Sequence, residues 1–170
     1  VTRRLESRTE YSYASVDLRP VYRANPHADH YDYYENTAVQ SIEREFLFLR
    51  GLETMIIFDR VGTTSASDTK TFLAHFEGNP VVNTATKEIS YTSGNQSLYL
   101  KTLLPASPTY RMITEGGTHG QYRLELETAG QTETYFLNVL QARGSTEADI
   151  TANVVDNGTS YTITLSHPTK

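Results

Sequence analysis

The stretch SIEREFLFLRGLETMIIFDRV, residues 41–61, constrains the fold more than any other part of the chain. Side chains alternate across a strand, so Arg44, Phe46 and Phe48 share one side while Glu45, Leu47 and Leu49 share the other. After Gly51 the run Met55-Ile56-Ile57-Phe58 is apolar at every position. Such a run suits a strand covered on both faces better than one facing water. A hairpin over 43–61, turning at Gly51, therefore predicts a central strand in a stack of two sheets. Asp59 and Arg60 at its end read more simply as a structural pair or an end-of-strand turn than as an acid with its cation.

The rest of the chain repeats the strand signal. Short alternating or β-branched runs are separated by Gly, Asn, Pro and Ser clusters, and no helix is announced. Tyr122, Leu124 and Leu126 alternate with Arg123, Glu125 and Glu127, which predicts a half-buried strand. Leu98, Leu100 and Thr102 ahead of Pro105, and the run 134–141, give further strands. Tyr161, Ile163 and Leu165 alternate with Thr162, Thr164 and Ser166, and Asp156-Asn157-Gly158 supplies a tight turn before them. That predicts a C-terminal hairpin pairing 150–155 with 159–166. The fold class expected is all-β, a β-sandwich of stacked antiparallel sheets forming one domain over residues 1–170.

Composition removes several functions. The chain has no cysteine, so disulfides, thiolate metal sites, cysteine nucleophiles and iron–sulfur clusters are excluded, and the fold rests on packing. A net charge of -5 without a basic stripe gives nothing to neutralise a phosphate backbone, so no nucleic-acid partner is expected. The apolar runs are too short to span a bilayer, so no membrane insertion is expected. No cofactor is expected either. The chain opens at Val1 on the charged segment VTRRLESRTE, which reads as a piece cut from a longer protein.

One long polar stretch, residues 23–36 (RANPHADHYDYYEN), is of a size that is functional or disordered in a compact β domain. His27, Asp29, His30 and Asp32 interleave with Tyr31, Tyr33 and Tyr34, combining nitrogen and oxygen donors with rings able to stack on a sugar. His27, His30, Tyr31, Tyr33 and Tyr34 are the candidate carbohydrate-contact residues. No third ligand accompanies the two histidines, so no metal site is assigned. His75, in a strand approaching a Gly-Asn-Pro turn, reads as a buried histidine bonded to backbone. His119 lies in a glycine-rich loop without the lysine of a phosphate-binding loop, and G-x-S-x-G is absent. No catalytic residue is assigned.

The segments EYSYASVDLRPVY, SIEREFLFLRGLETMIIFDRV, KTFLAHFEGNPVV, LYLKTLLP and GQYRLELETAGQTETYFLNVLQ, taken in order over residues 10–141, resemble the C-terminal β domain of heparinase II/III-like polysaccharide lyases. The resemblance implies a parent enzyme with an upstream helical toroid followed by stacked sheets, holding an acidic polysaccharide between them. It implies cleavage of uronic-acid chains by β-elimination and a periplasmic or secreted location. The family's principal Tyr, His and Asn catalytic positions precede Val1, so this chain alone is expected to be inactive. The leading expectation is an accessory domain that supports the substrate cleft, with the upstream helical domain as partner. The alternatives are a free-standing carbohydrate-binding or protein-interaction sandwich, and a complete small enzyme with convergent acid and base groups.

Overall fold

The computed structural model describes residues 1–23, 37–116 and 121–169. Strands β1 (Thr2–Ser7) and β2 (Tyr11–Asp17) lead into a one-turn helix α1 (Arg19–Arg23), and β3 (Val39–Leu49) and β4 (Thr54–Thr63) form the long hairpin. Then follow β5 (Lys70–Phe76), β6 (Val81–Asn83), β7 (Glu88–Ser93), β8 (Gln96–Leu104), β9 (Thr109–Thr114), β10 (Tyr122–Thr128) and β11 (Glu133–Gly144). The chain closes with β12 (Thr151–Asp156) and β13 (Tyr161–Ser166).

The short helix α1 escapes the alternation pattern because its stop and start signals are local. Pro20 fits the first turn, where its missing N–H costs nothing, and the Asp17 carboxylate accepts the Arg19 N–H at 3.0 Å.

The sandwich predicted from sequence is present, with one layer more than expected. The central sheet has eight strands in the order β1-β2-β3-β4-β11-β8-β7-β6. A three-stranded sheet, β5-β10-β9, packs on one face, and the β12-β13 hairpin packs on the other. All the ladders are antiparallel. After β4 the chain leaves for β5, returns for β6 to β8, leaves again for β9 and β10, and only then inserts β11 between β4 and β8. The interior strands are thus those whose runs are apolar on both sides.

Each face has its own core. Ile57, Val61, Phe136, Leu100 and Ile89 meet Phe72, Phe76, Leu124 and Leu126 beneath the three-stranded sheet. Ile56, Phe58, Leu137, Val139 and Tyr99 meet Ile150, Ala152, Ile163 and Leu165 beneath the hairpin. The alternation read in β10 holds, with Leu124 and Leu126 fully buried. Thr102 and Asn138, also fully buried, face each other across β8 and β11, and the Thr102 hydroxyl donates to Asn138 Oδ1 at 2.9 Å. Gln141 accepts the Ile150 N–H at 2.8 Å, which ties the entry to β12 onto β11.

Both hairpin turns fall where the sequence places them, and they differ in which residue turns left-handed. The β3-β4 connection is a 3-10 turn over Arg50–Leu52, and the left-handed residue is Glu53 (φ 49°), not Gly51. A 3-10 turn keeps its own residues right-handed and moves the reversal to its C-terminal neighbour. The C-terminal turn does use its glycine: Gly158 has φ 83°, and its N–H is accepted by the Asp156 carboxylate at 2.8 Å.

Candidate functional site: an aromatic groove beside the C-terminal hairpin

The β12-β13 hairpin covers only part of its face of the central sheet, and its turn overhangs a groove of about 520 Å³. The floor carries Tyr13 from β2, Glu45 from β3, Phe58 and Arg60 from β4, and Tyr135 from β11. Tyr161 from β13 forms the wall. Register places these side chains together. Glu45 lies opposite Phe58 and next to Tyr13 by way of the Tyr13↔Leu47 pairing, and Arg60 lies opposite Tyr135.

Three rings make a corner. Phe58 and Tyr135 lie 5.8 Å apart at 23°, stacked one against the other. Tyr161 stands edge-on to both, 5.9 Å from Phe58 at 74° and 5.7 Å from Tyr135 at 65°. Each geometry is one that aromatic quadrupoles favour. The Arg60 guanidinium sits 5.2 Å above the Phe58 ring, so the groove's cation is already placed on an aromatic face.

The charges form a continuous chain along one end of the groove. Arg60 pairs with the Glu45 carboxylate and reaches Glu43 at 3.7 Å. Glu43 in turn accepts from Arg3 at 2.6 Å, and Arg3 bonds Asp17 at 2.9 Å. The Tyr13 hydroxyl donates to the second Glu45 oxygen at 2.9 Å. Burial, and then that bond to Glu45, raise the Tyr13 pKa. Burial, and then the nearby Asp156 charge, raise that of Tyr161. Both phenols therefore stay protonated at neutral pH and act as donors.

Asp59 and Arg60, read as a pair, are not one. Neighbours on a strand point to opposite faces, and Asp59 instead takes both oxygens to Arg44, at 2.6 Å each, under the three-stranded sheet. The bidentate bond to Asp59 is the main cause of a raised Arg44 pKa. Its structural character stands, while its partner is changed.

His75 is also corrected. It is exposed on the outer face of the three-stranded sheet, with Nε2 3.4 Å from Glu115, because Phe72, Ala74 and Phe76 take the inward positions of β5. It belongs to an ionic ladder in which Arg123 and Arg111 both pair with Glu125, a residue 5% exposed. His27, His30, Tyr31, Tyr33, Tyr34 and His119 lie outside the described residues. Among the described residues no three His, Asp or Glu side chains converge to hold a metal ion. No helix among them is long and apolar enough to cross a membrane.

Sequence reasoning missed the groove. Its signal was present in pieces, since Phe58, Tyr135 and Tyr161 each share a strand side with Ile56, Leu137 and Ile163 respectively. What joins them is the late insertion of β11 beside β4 and the folding of the hairpin over both.

No family model matches the chain, and no curated protein matches its sequence. Solved structures do match it. A heparinase III gene product superposes with a TM-score of 0.68 at 8% identity, over 98% of this chain and 27% of that one. The same product with methylated lysines gives 0.63 at 9% identity, with the same coverage of both chains. A further heparinase III crystal structure gives 0.69 at 12% identity, covering 98% of this chain and 26% of its own. Nearly the whole chain therefore has the fold of one part of heparinase III, a part that makes up about 27% of those longer proteins.

Proposed function

We propose that this chain is a β-sandwich domain of a uronic-acid polysaccharide lyase, where it supports one wall of the substrate cleft. The observation that carries the reading is the fold match, which takes in 98% of this chain and about a quarter of heparinase III. The reaction is β-elimination: a base removes the proton α to the uronate carboxylate, the glycosidic C–O bond at the β carbon breaks, and polar groups stabilise the enolate-like charge. On this reading an upstream helical domain supplies the base, and the sandwich supplies rigidity and a flank for the polymer. On this reading His27, His30, Tyr31, Tyr33 and Tyr34 are the residues proposed to contact the polymer. The acidic polysaccharide places the protein in the periplasm or outside the cell.

The described residues support a non-catalytic role. His75 has its nearest ionic partner in Glu115, on a solvent-facing sheet surface. The groove acids Glu43 and Glu45 are held in ion pairs with Arg3 and Arg60. A carboxylate so paired lacks the freedom of a general base.

A second reading, a free-standing carbohydrate-binding module, is favoured by the ring corner of Phe58, Tyr135 and Tyr161. The sequence encoded upstream of Val1 separates the two. A helical region of several hundred residues, the size expected of a partner domain, is the expected finding. The longer protein then releases unsaturated uronides from heparin- or alginate-type polymers, and the 170-residue chain releases none. A start codon directly ahead of Val1, or release by the short chain alone, overturns the lyase-domain reading.

A further inference from the structure

We infer that an apolar patch on β1 to β4, beyond the reach of the three-stranded sheet, is the surface on which the rest of a longer polypeptide docks. The docking segment presents apolar side chains, with an acidic residue at one end. The inference rests on the reading above that this chain is one domain of a larger protein, and it adds where that protein closes over it.

The core beneath the three-stranded sheet draws its central-sheet residues from β4, β11, β8, β7 and β6, and none from β1, β2 or β3. Register nevertheless carries an apolar surface outward on that same side. Ile57 lies opposite Phe46, Phe46 opposite Ala14, and Ala14 opposite Leu5. Further along the same strands, Phe48 lies opposite Met55. Residues directly opposite in an antiparallel pair share a face, so these side chains form one patch.

Water reaches it. Phe46 and Phe48 are half-buried and belong to neither core, Met55 is 36% exposed and Leu5 is 79% exposed. Single apolar residues scattered over a surface carry no message, whereas a contiguous apolar patch with a polar rim marks a contact surface.

The rim defines what fits. At one end Arg44, held by Asp59, places its guanidinium 6.0 Å from the Phe46 ring. At the other, Arg50 donates to the Ser12 hydroxyl at 2.6 Å, the Ser7 hydroxyl at 3.1 Å and the Arg8 carbonyl at 3.2 Å. Ser12 lies opposite Phe48, which sets Arg50 beside the patch. Those three acceptors are neutral, so a carboxylate arriving there gains a stronger, charge-assisted bond. A second copy docking this patch on itself would bring another arginine in place of the acid. The rest of a longer polypeptide has no such constraint, and this chain matches only 27% and 26% of the length of two heparinase III structures that share its fold.

The chain's two methionines make the test self-referencing. Met55 lies in the patch, whereas Met112 packs against the core beneath the three-stranded sheet. Both are oxidised with dilute hydrogen peroxide, in the 170-residue chain and in the longer protein, and sulfoxide at each is followed by peptide mass spectrometry. In the longer protein Met55 is expected to oxidise about tenfold more slowly than in the short chain, and Met112 within about twofold of its rate there. Phe48→Asp, and Leu5→Glu at a position too exposed to disturb folding, are each expected to speed Met55 oxidation in the longer protein about threefold or more. Equal Met55 rates in the two proteins, or protection that survives both substitutions, overturn the inference and leave the lyase-domain reading standing. A Met55 rate already slow in the short chain overturns it too. If that rate falls with protein concentration the patch belongs to a second copy, and if it stays constant the patch is covered from within this chain. A start codon directly ahead of Val1 instead removes the lyase-domain reading, and the docking surface with it.

Discussion

Asp59 and Arg60 are consecutive residues of one strand with opposite surroundings. Asp59 is 4% exposed and sealed beneath a three-stranded sheet, its carboxylate bound bidentately by Arg44. Arg60 faces the groove, with its side chain 47% exposed. The strand itself treats its two sides alike, with Ile57 and Val61 on one and Ile56 and Phe58 on the other. The difference lies in what covers them. A three-stranded sheet excludes water from Asp59 and Phe136 on its face, whereas the two-stranded hairpin leaves aromatic rings beside it accessible. Burial is deeper on the first face, and the open groove lies on the second.

That contrast breaks most readily at Phe136, which is 1% exposed on the sealed face and 6.3 Å from Phe72. Phe136→Ala is expected to cost about 4 kcal/mol in denaturant unfolding, from lost burial and the cavity left between two sheets. A loss under about 1 kcal/mol would mean that this face can collapse around the gap and is not the rigid one.

The adjacent pair offers a sharper test. Asp59→Ala strands the partly buried Arg44 guanidinium and is expected to cost about 3 kcal/mol. Arg60→Ala removes a largely solvated ion pair and a cation–π contact and is expected to cost under about 1 kcal/mol. Equal losses, measured by chemical denaturation of the two variants, would erase the distinction between the faces.

The smallest expected effect is a titration at the outer corner of the open side. Hydrogen bonds from Arg8, then Tyr11, then Arg4 hold the Glu6 carboxyl at a pKa of about 2, below its ordinary 4.5. A depressed carboxylate contributes its stabilisation above the unfolded value and loses it as pH falls through the folded one. The β1-β2 ladder at Glu6↔Tyr13 should therefore loosen between pH 4.5 and about 2, with little change above. Carboxyl-carbon NMR of Glu6 checks it, and a midpoint at the ordinary value would show that the cluster opens in solution.

Much of the fold was legible because strand alternation is a local property. The faces of β3, the doubly apolar β4, the half-charged β10 and the C-terminal hairpin all follow from a period of two. The turn falls at Gly51 as read, but a glycine marks conformational freedom without fixing which residue turns left-handed, and Glu53 takes that role. His75 was misjudged because its strand side depends on which of Phe72 or Leu73 faces inward, and both are apolar.

The sequence by itself determined an all-β sandwich without cysteine or a basic stripe, and a strand at its centre buried on both faces. It also carried the order of segments that resembles heparinase II/III-like lyases, and the fold matches one part of heparinase III over 98% of the chain. Only the tertiary structure decided that the core has three layers and that Asp59 pairs with Arg44. It alone brings Phe58, Tyr135 and Tyr161 to one groove from strands β4, β11 and β13. The physical reason is range. Alternation is fixed by the covalent geometry of neighbouring residues, whereas the partners across a sheet and between layers are chosen by where a strand as distant as β11 inserts.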